Sequence, residues 1–172
     1  MRALRETGTE SAEHAGVHCP PPFIFLAAVL VAGLLENRVW RWQIHGGGWP
    51  WIVSGRALLV GALLIMLWAL TEFHRAKTTV HPARPSRALI ERGPFRYSRN
   101  PLYFSLSLVL LAIGVSMGSG WLLVLVPPTI LIVRHQVIAR EERYLEKRFG
   151  EEYRSYCTRV NRWIGRRRNA GE

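Results

Sequence analysis

Cysteine is scarce in this chain: Cys19 and Cys157 are the only two, and they lie far apart. There is no Cys-x-x-Cys pair, no Cys/His ligand spacing and no His-Glu-x-x-His, so no structural metal site is expected. A disulfide is not expected either, because the topology derived below puts both ends of the chain in the cytoplasm. Glycine patterns that cradle phosphates are missing too. Gly46-Gly47-Gly48 stands in neither a GxxxxGK[ST] nor a GxGxxG setting and, with Pro50 just beyond, reads as a connecting turn. Negative charge is thin, with 12 acidic residues against 23 lysines and arginines and a net charge of +11. Such a balance can indicate nucleic acid. Here the arginines cluster beside apolar runs, which points to cytoplasmic loops and anionic lipid, with no nucleic-acid partner.

Apolar residues make up 49% of the 172, and they are gathered into long runs between basic blocks. That segregation, in a chain of one-domain length, predicts an all-α integral membrane protein. Residues 1–22 form a polar tail closed by Pro20-Pro21-Pro22 and expected to be poorly ordered. The first run starts at Phe23, reaches spanning length if it continues to about Trp42, and reads as a retained span rather than a signal peptide. Trp40, Trp42, Trp49 and Trp51 form an aromatic belt at its far end. A second span is expected from about Trp51 to Phe73, with Arg56 snorkelling back to that belt. Two shorter runs, Leu102 to Met117 and Trp121 to Val133, flank Gly118-Ser119-Gly120 and predict an antiparallel hairpin. Pro127-Pro128 is expected to kink or break the second arm.

Between the second and third runs, residues 73–100 carry seven lysines and arginines against Glu91 alone. Residues 134–172 carry eleven against six glutamates. The positive-inside rule places both segments in the cytoplasm, so about four crossings with both termini inside are expected. The division that follows is a tail (1–22), two N-terminal spans (23–73), a region holding the hairpin and the polar motifs (74–163) and a basic tail (164–172).

Two polar clusters stand out in that third region. The first is Gly93-Pro94-Phe95-Arg96-Tyr97-Ser98-Arg99-Asn100-Pro101-Leu102-Tyr103, where Pro101 disfavours helix at Asn100 and suits the first turn of the next helix. Arg99 and Asn100 are therefore expected in an extended elbow at the membrane surface. The second lies on a C-terminal helix expected from about Arg134 to Tyr156. Ile138, Leu145, Phe149, Tyr153 and Tyr156 share one stripe of it, and Glu142 falls inside that stripe with Glu141 at its edge. A carboxylate on a packing face needs a cation or several donors. Two readings are open: an ion pair with an arginine such as Arg99 or Arg96, or a receptor for an ammonium-bearing ligand. Trp163 and Arg166-Arg167-Arg168 read as a membrane-surface anchor.

GPFRYSRNPLY, followed after a hydrophobic hairpin by EERYLEKRFGEEYRSYCTRVNRW, resembles the C-terminal half of isoprenylcysteine carboxyl methyltransferases and related phospholipid methyltransferases. The resemblance covers about residues 74–163. Arg99-Asn100-Pro101 with Tyr103 is similar to that family's Arg-His/Asn-Pro-x-Tyr pattern, and Glu141-Glu142, Phe149-Gly150 and Tyr153 to its second motif. Asn100 stands where the eukaryotic prenylcysteine enzymes carry histidine, a departure that bears on the acceptor. The resemblance implies a membrane methyltransferase using S-adenosylmethionine at its cytoplasmic face, with a lipophilic acceptor entering from the bilayer. Carried over residue by residue, it makes Arg99, Asn100, Pro101, Tyr103, Glu141, Glu142 and Tyr153 cofactor-binding. Arg99 and Glu142 are then the residues expected to carry catalysis. The competing readings are an NADPH-dependent reductase of sterol-reductase-like architecture and a non-enzymatic membrane scaffold.

Overall fold

A computed structural model describes residues 20–46, 48–76 and 89–166. The predicted N-terminal tail, Cys19, the segment 77–88 and Arg167-Arg168 therefore lie outside the described residues, Pro20, Pro21 and Pro22 excepted. Helices α1 (Pro21–Arg38), α2 (Trp49–Arg75), α3 (Pro101–Met117), α4 (Gly120–Val133) and α5 (Ala139–Arg159) follow in order, with a short 3-10 turn at Gly93–Arg96. Three helical stretches are long and apolar enough to cross a membrane: α1, α2 and the run from Gly120 to Arg159; α3, at 17 residues, is a shorter apolar helix.

The outward faces of α1 and α2 are apolar. Phe23, Leu26, Leu30 and Leu34 on the first, and Val53, Val60, Leu64 and Leu67 on the second, are all exposed. Apolar exposure on this scale suits lipid as the surrounding solvent. The inward face of α2 is small instead: Gly55, Ala62 and Ala69 recur every seven residues and are buried. Small residues let helix backbones come close where no hydrophobic effect drives them together. A Cβ at Gly55 would lie 2.9 Å from the carbonyl oxygen of Ala112 on α3. At the other end of α2, Glu72 and Trp68 crowd Gly93, whose φ of 57° belongs to the left-handed region. The start of α2 thus meets the end of α3, and the two helices run antiparallel.

α1 stops at Arg38, short of the expected Trp42. The reason is tertiary. Gly120 N–H donates to the Trp42 carbonyl at 2.8 Å, and Ile44 N–H donates to that of Gly118 at 2.9 Å. Backbone groups that would have extended the helix are used to clasp the hairpin tip. Trp121 adds an indole bond to the Trp40 carbonyl at 3.0 Å and packs its ring against Trp40 and Trp42.

The hairpin turn is as the glycines predict. Gly118 closes α3 at φ 65°, and the Ser119 hydroxyl accepts from Leu122 N–H to start α4. The expected break at Pro127-Pro128 is absent, and α4 runs through both prolines. Unwinding in apolar surroundings would leave further backbone groups unsatisfied, so the helix tolerates the lost bonds. Instead the rod widens into a π turn at Arg134–Ile138 and continues directly as α5. Gly150, with φ 52° and ψ −121°, is a true break in α5, not a close-packing point, since nothing lies within 4 Å of where its Cβ would be.

Candidate functional site

The site forms where the elbow, α5 and the segment after α5 meet. Pro101 occupies the first turn of α3 and is buried. Asn100 precedes it at φ −132°, ψ 57°, its N–H donating to the Ser98 hydroxyl at 3.1 Å. Past α5 the chain folds back on the elbow. Arg99 N–H donates to the Asn161 carbonyl at 3.1 Å, Asn100 Nδ2 to that of Arg162 at 3.1 Å, and Gly165 N–H to that of Tyr97 at 2.8 Å. The Tyr156 hydroxyl ties α5 to the same turn through the Phe95 carbonyl at 2.7 Å. Asn100 is therefore a structural brace of the elbow.

These braces set the carboxylates. Glu142 is gripped by two guanidinium groups. Arg162 donates through Nε at 2.9 Å and Nη2 at 2.5 Å, and Arg99 Nη1 stands 3.3 Å away. The two-pronged approach of Arg162 matches the fork geometry that makes arginine–carboxylate pairs strong, and its bond to Glu142 raises the Arg162 pKa. Arg99 Nη1 also contacts Cys157 Sγ at 2.6 Å, whereas its Nε is buried with no hydrogen-bond partner. Glu141, adjacent in sequence, has a different environment. The Tyr103 hydroxyl donates to it at 2.9 Å. Two neighbouring carboxylates thus have different partners: Glu142 meets two guanidinium groups, and Glu141 meets the Tyr103 hydroxyl.

Removing the phenol should expose how far Glu141 depends on it. Tyr103→Phe is expected to destabilise the protein by about 1 kcal/mol, the usual net worth of such a bond, read as a lower unfolding temperature in detergent.

Tyr153 is buried beside this cluster and packed at 6.3 Å on the ring of Tyr156. The structure brings all seven residues singled out from the sequence to one end of the helical bundle. It adds one that sequence reasoning left out, Arg162. Its distance of twenty residues from Glu142, beyond the end of α5, carries no periodic signal. The cluster is closed by its own ion pairs. The open space lies beside it, in two clefts that share Glu91 and Arg92. One, of about 530 Å³, lies between residues 91–96, the end of α5 and Arg166, and four of its lining residues are arginines: Arg92, Arg96, Arg159 and Arg166. The other, of about 520 Å³, lies between Glu72 and Arg75 of α2, Leu89–Arg92 and Glu152.

A family model for phospholipid methyltransferases matches residues 50–152, more than half of the chain, and takes in α2 as well as the hairpin and most of α5. An uncharacterized protein of Haemophilus influenzae is 46% identical over 65 residues, which is 37% of this chain and the whole of that relative. No solved structure matches.

Proposed function

The chain belongs to the phospholipid methyltransferase family, whose members are membrane methyltransferases, and we propose that it moves a methyl group from S-adenosylmethionine to a lipophilic acceptor. The observation that carries this reading is the meeting of Arg99 and Tyr103 with Glu142 and Glu141, at 3.3 Å and 2.9 Å, across the length of the hairpin. The chemistry of the cluster fits the amino-acid end of that cofactor. Arg99 Nε is a buried donor lacking an acceptor, which suits a carboxylate. Glu142 already accepts two guanidinium groups, which suits an ammonium.

Because Glu142 is paired, one arginine has to release it. The Arg162 side chain is 33% exposed and that of Arg99 12%, so Arg162 is the one that water can receive at lower cost. Arg99 then stays to hold the anionic group, while Tyr103 and Tyr153 wall the site and exclude water. When bound, S-adenosylmethionine would supply a sulfonium-activated methyl for in-line attack by an acceptor lone pair, with S-adenosylhomocysteine as the leaving thioether and no metal or enzyme nucleophile required. The protein's part is alignment and a dry site. In this reading residues 74–163 carry the unit, and the positive-inside rule favours the cytoplasmic side for it and for both termini. The acceptor class is a carboxylate, thiol, amine or lipid head group.

The test is binding of labelled S-adenosylmethionine to the detergent-purified full chain. Saturable binding that S-adenosylhomocysteine displaces and NADPH does not is the expected result. Displacement by NADPH alone would favour the reductase, and no binding to folded protein would remove the enzymatic reading.

A further inference from the structure

We propose that Gly150 is the pivot of a clamp whose opening parts Glu142 from Arg99, with the Arg154–Glu146 ion pair as its latch. The proposal deepens the methyltransferase reading and rests on it for what the opening admits, the amino-acid end of the cofactor. In the closed cluster Arg99 Nη1 stands 3.3 Å from Glu142 Oε1, which leaves no room for a group between them. A ligand ammonium on Glu142 and a ligand carboxylate on Arg99 therefore require the two side chains to separate.

Gly150 divides α5 into two pieces held in different ways. Its φ of 52° and ψ of −121° match the first central position of a type II′ turn, about +60° and −120°, which glycine enters without cost and an L side chain resists. Nothing lies within 4 Å of where a Cβ would be, so packing does not force this corner. Before it, residues 139–149 carry Glu142 and are bounded at their other end by the π turn, a second place where a helix can bend. After it, residues 151–159 and the segment beyond form one body with the elbow that carries Arg99. Main-chain groups unite that body. The Tyr156 hydroxyl donates to the Phe95 carbonyl, Arg99 N–H to that of Asn161, and Gly165 N–H to that of Tyr97. Across the corner, Glu142 meets Arg99 and Arg162, and Glu146 accepts from Arg154 Nε at 2.9 Å. These ties are side-chain ion pairs, and the last is half-exposed on both sides, so water replaces it at little cost. Leu145 and Phe149 pack against the Tyr153–Tyr156 cluster close to the corner, where a pivoting surface moves least. Arg154 also holds Glu151 at 2.7 Å, on its own side of the corner. One arginine thus has one partner that bridges the pivot and one that does not.

Cys157 reports the opening. It is half-buried, and its Sγ lies 2.6 Å from Arg99 Nη1, the same atom that meets Glu142. The test is its rate of alkylation by N-ethylmaleimide in the full chain in detergent, without cofactor, followed at the Cys157 peptide by mass spectrometry. Glu146→Gln cuts the latch and should raise the rate about threefold, and Arg154→Gln should match it. Glu151→Gln, the same charge change short of the pivot, should alter it by less than about 1.5-fold. Gly150→Ala, which disfavours the corner, should raise it about tenfold at a temperature well below its unfolding midpoint. If that variant does not fold, the comparison of Glu146→Gln with Glu151→Gln decides alone. An unchanged rate in Glu146→Gln, equal gains in Glu146→Gln and Glu151→Gln, or a folded Gly150→Ala protein alkylated no faster than the wild type would each overturn the proposal. A chain that shows the expected rates yet binds no S-adenosylmethionine would remove the methyltransferase reading and leave the pivot standing.

Discussion

Glu142→Gln is expected to reduce the affinity for S-adenosylmethionine by about 10- to 100-fold, from the loss of charge-assisted bonds each worth about 1.5–3 kcal/mol. Methyl transfer should fall at least as far. The amide keeps the shape of the side chain and one acceptor oxygen, so Arg99 and Arg162 retain a partial partner and the fold should survive. Glu142→Ala removes both and leaves two guanidinium groups facing each other, one of them, Arg99, with only 12% of its side chain exposed. Removing one member of a buried pair costs about 3–5 kcal/mol, and the partial exposure of Arg162 lowers that here to about 1–3 kcal/mol. Full activity in a folded Glu142→Gln protein would take Glu142 out of the cofactor site and leave it a structural ion pair. Arg162→Gln separates the roles further. If Arg162 must leave for the cofactor to bind, its loss should raise cofactor affinity while lowering thermal stability.

The second large effect belongs to Gly55. A methyl group there would collide with Ser116 Oγ and lie 2.8 Å from Ser116 N and 2.9 Å from the Ala112 carbonyl oxygen. The hydroxyl can rotate away, but the two backbone atoms cannot, so α2 and α3 have to separate along the seam that continues to Ala62 and Ala69. Gly55→Ala is therefore expected to destabilise by about 1–3 kcal/mol, the usual cost of overpacking. Adding Ser116→Gly should recover only part of it, because the backbone contacts remain. Thermal unfolding in one detergent checks both variants, and an unchanged midpoint for Gly55→Ala would rule out the close approach. Since α2 also abuts Gly93 through Glu72 and Trp68, a displaced α2 should disturb the elbow and weaken cofactor binding as well.

Much of this was legible in particular residues. Phe23 to Leu35 and Trp51 to Phe73 announced helices by length and apolarity, which depend on composition alone. Gly118-Ser119-Gly120 announced the hairpin because only glycine enters the left-handed region without cost. Glu142 was visible as out of place because helical periodicity put it on an apolar stripe, and Arg99 was already one of its two expected arginine partners.

What failed to show has a common cause. The end of α1 at Arg38 depends on Gly118 and Gly120 bonding the chain at Ile44 and Trp42, about eighty residues away in sequence. The uninterrupted passage of α4 through Pro127-Pro128 into α5 depends on apolar surroundings that make unwinding costlier than the lost bonds. The grip of Arg162 on Glu142, and of its carbonyl on Asn100, depends on the chain folding back after α5. The sequence by itself determined the apolar spans, the hairpin turn and which polar residues stand out from their surroundings, because local periodicity and composition encode these. Only the tertiary structure decided which guanidinium meets which carboxylate and where open space remains, because bonds between distant segments leave no period to read.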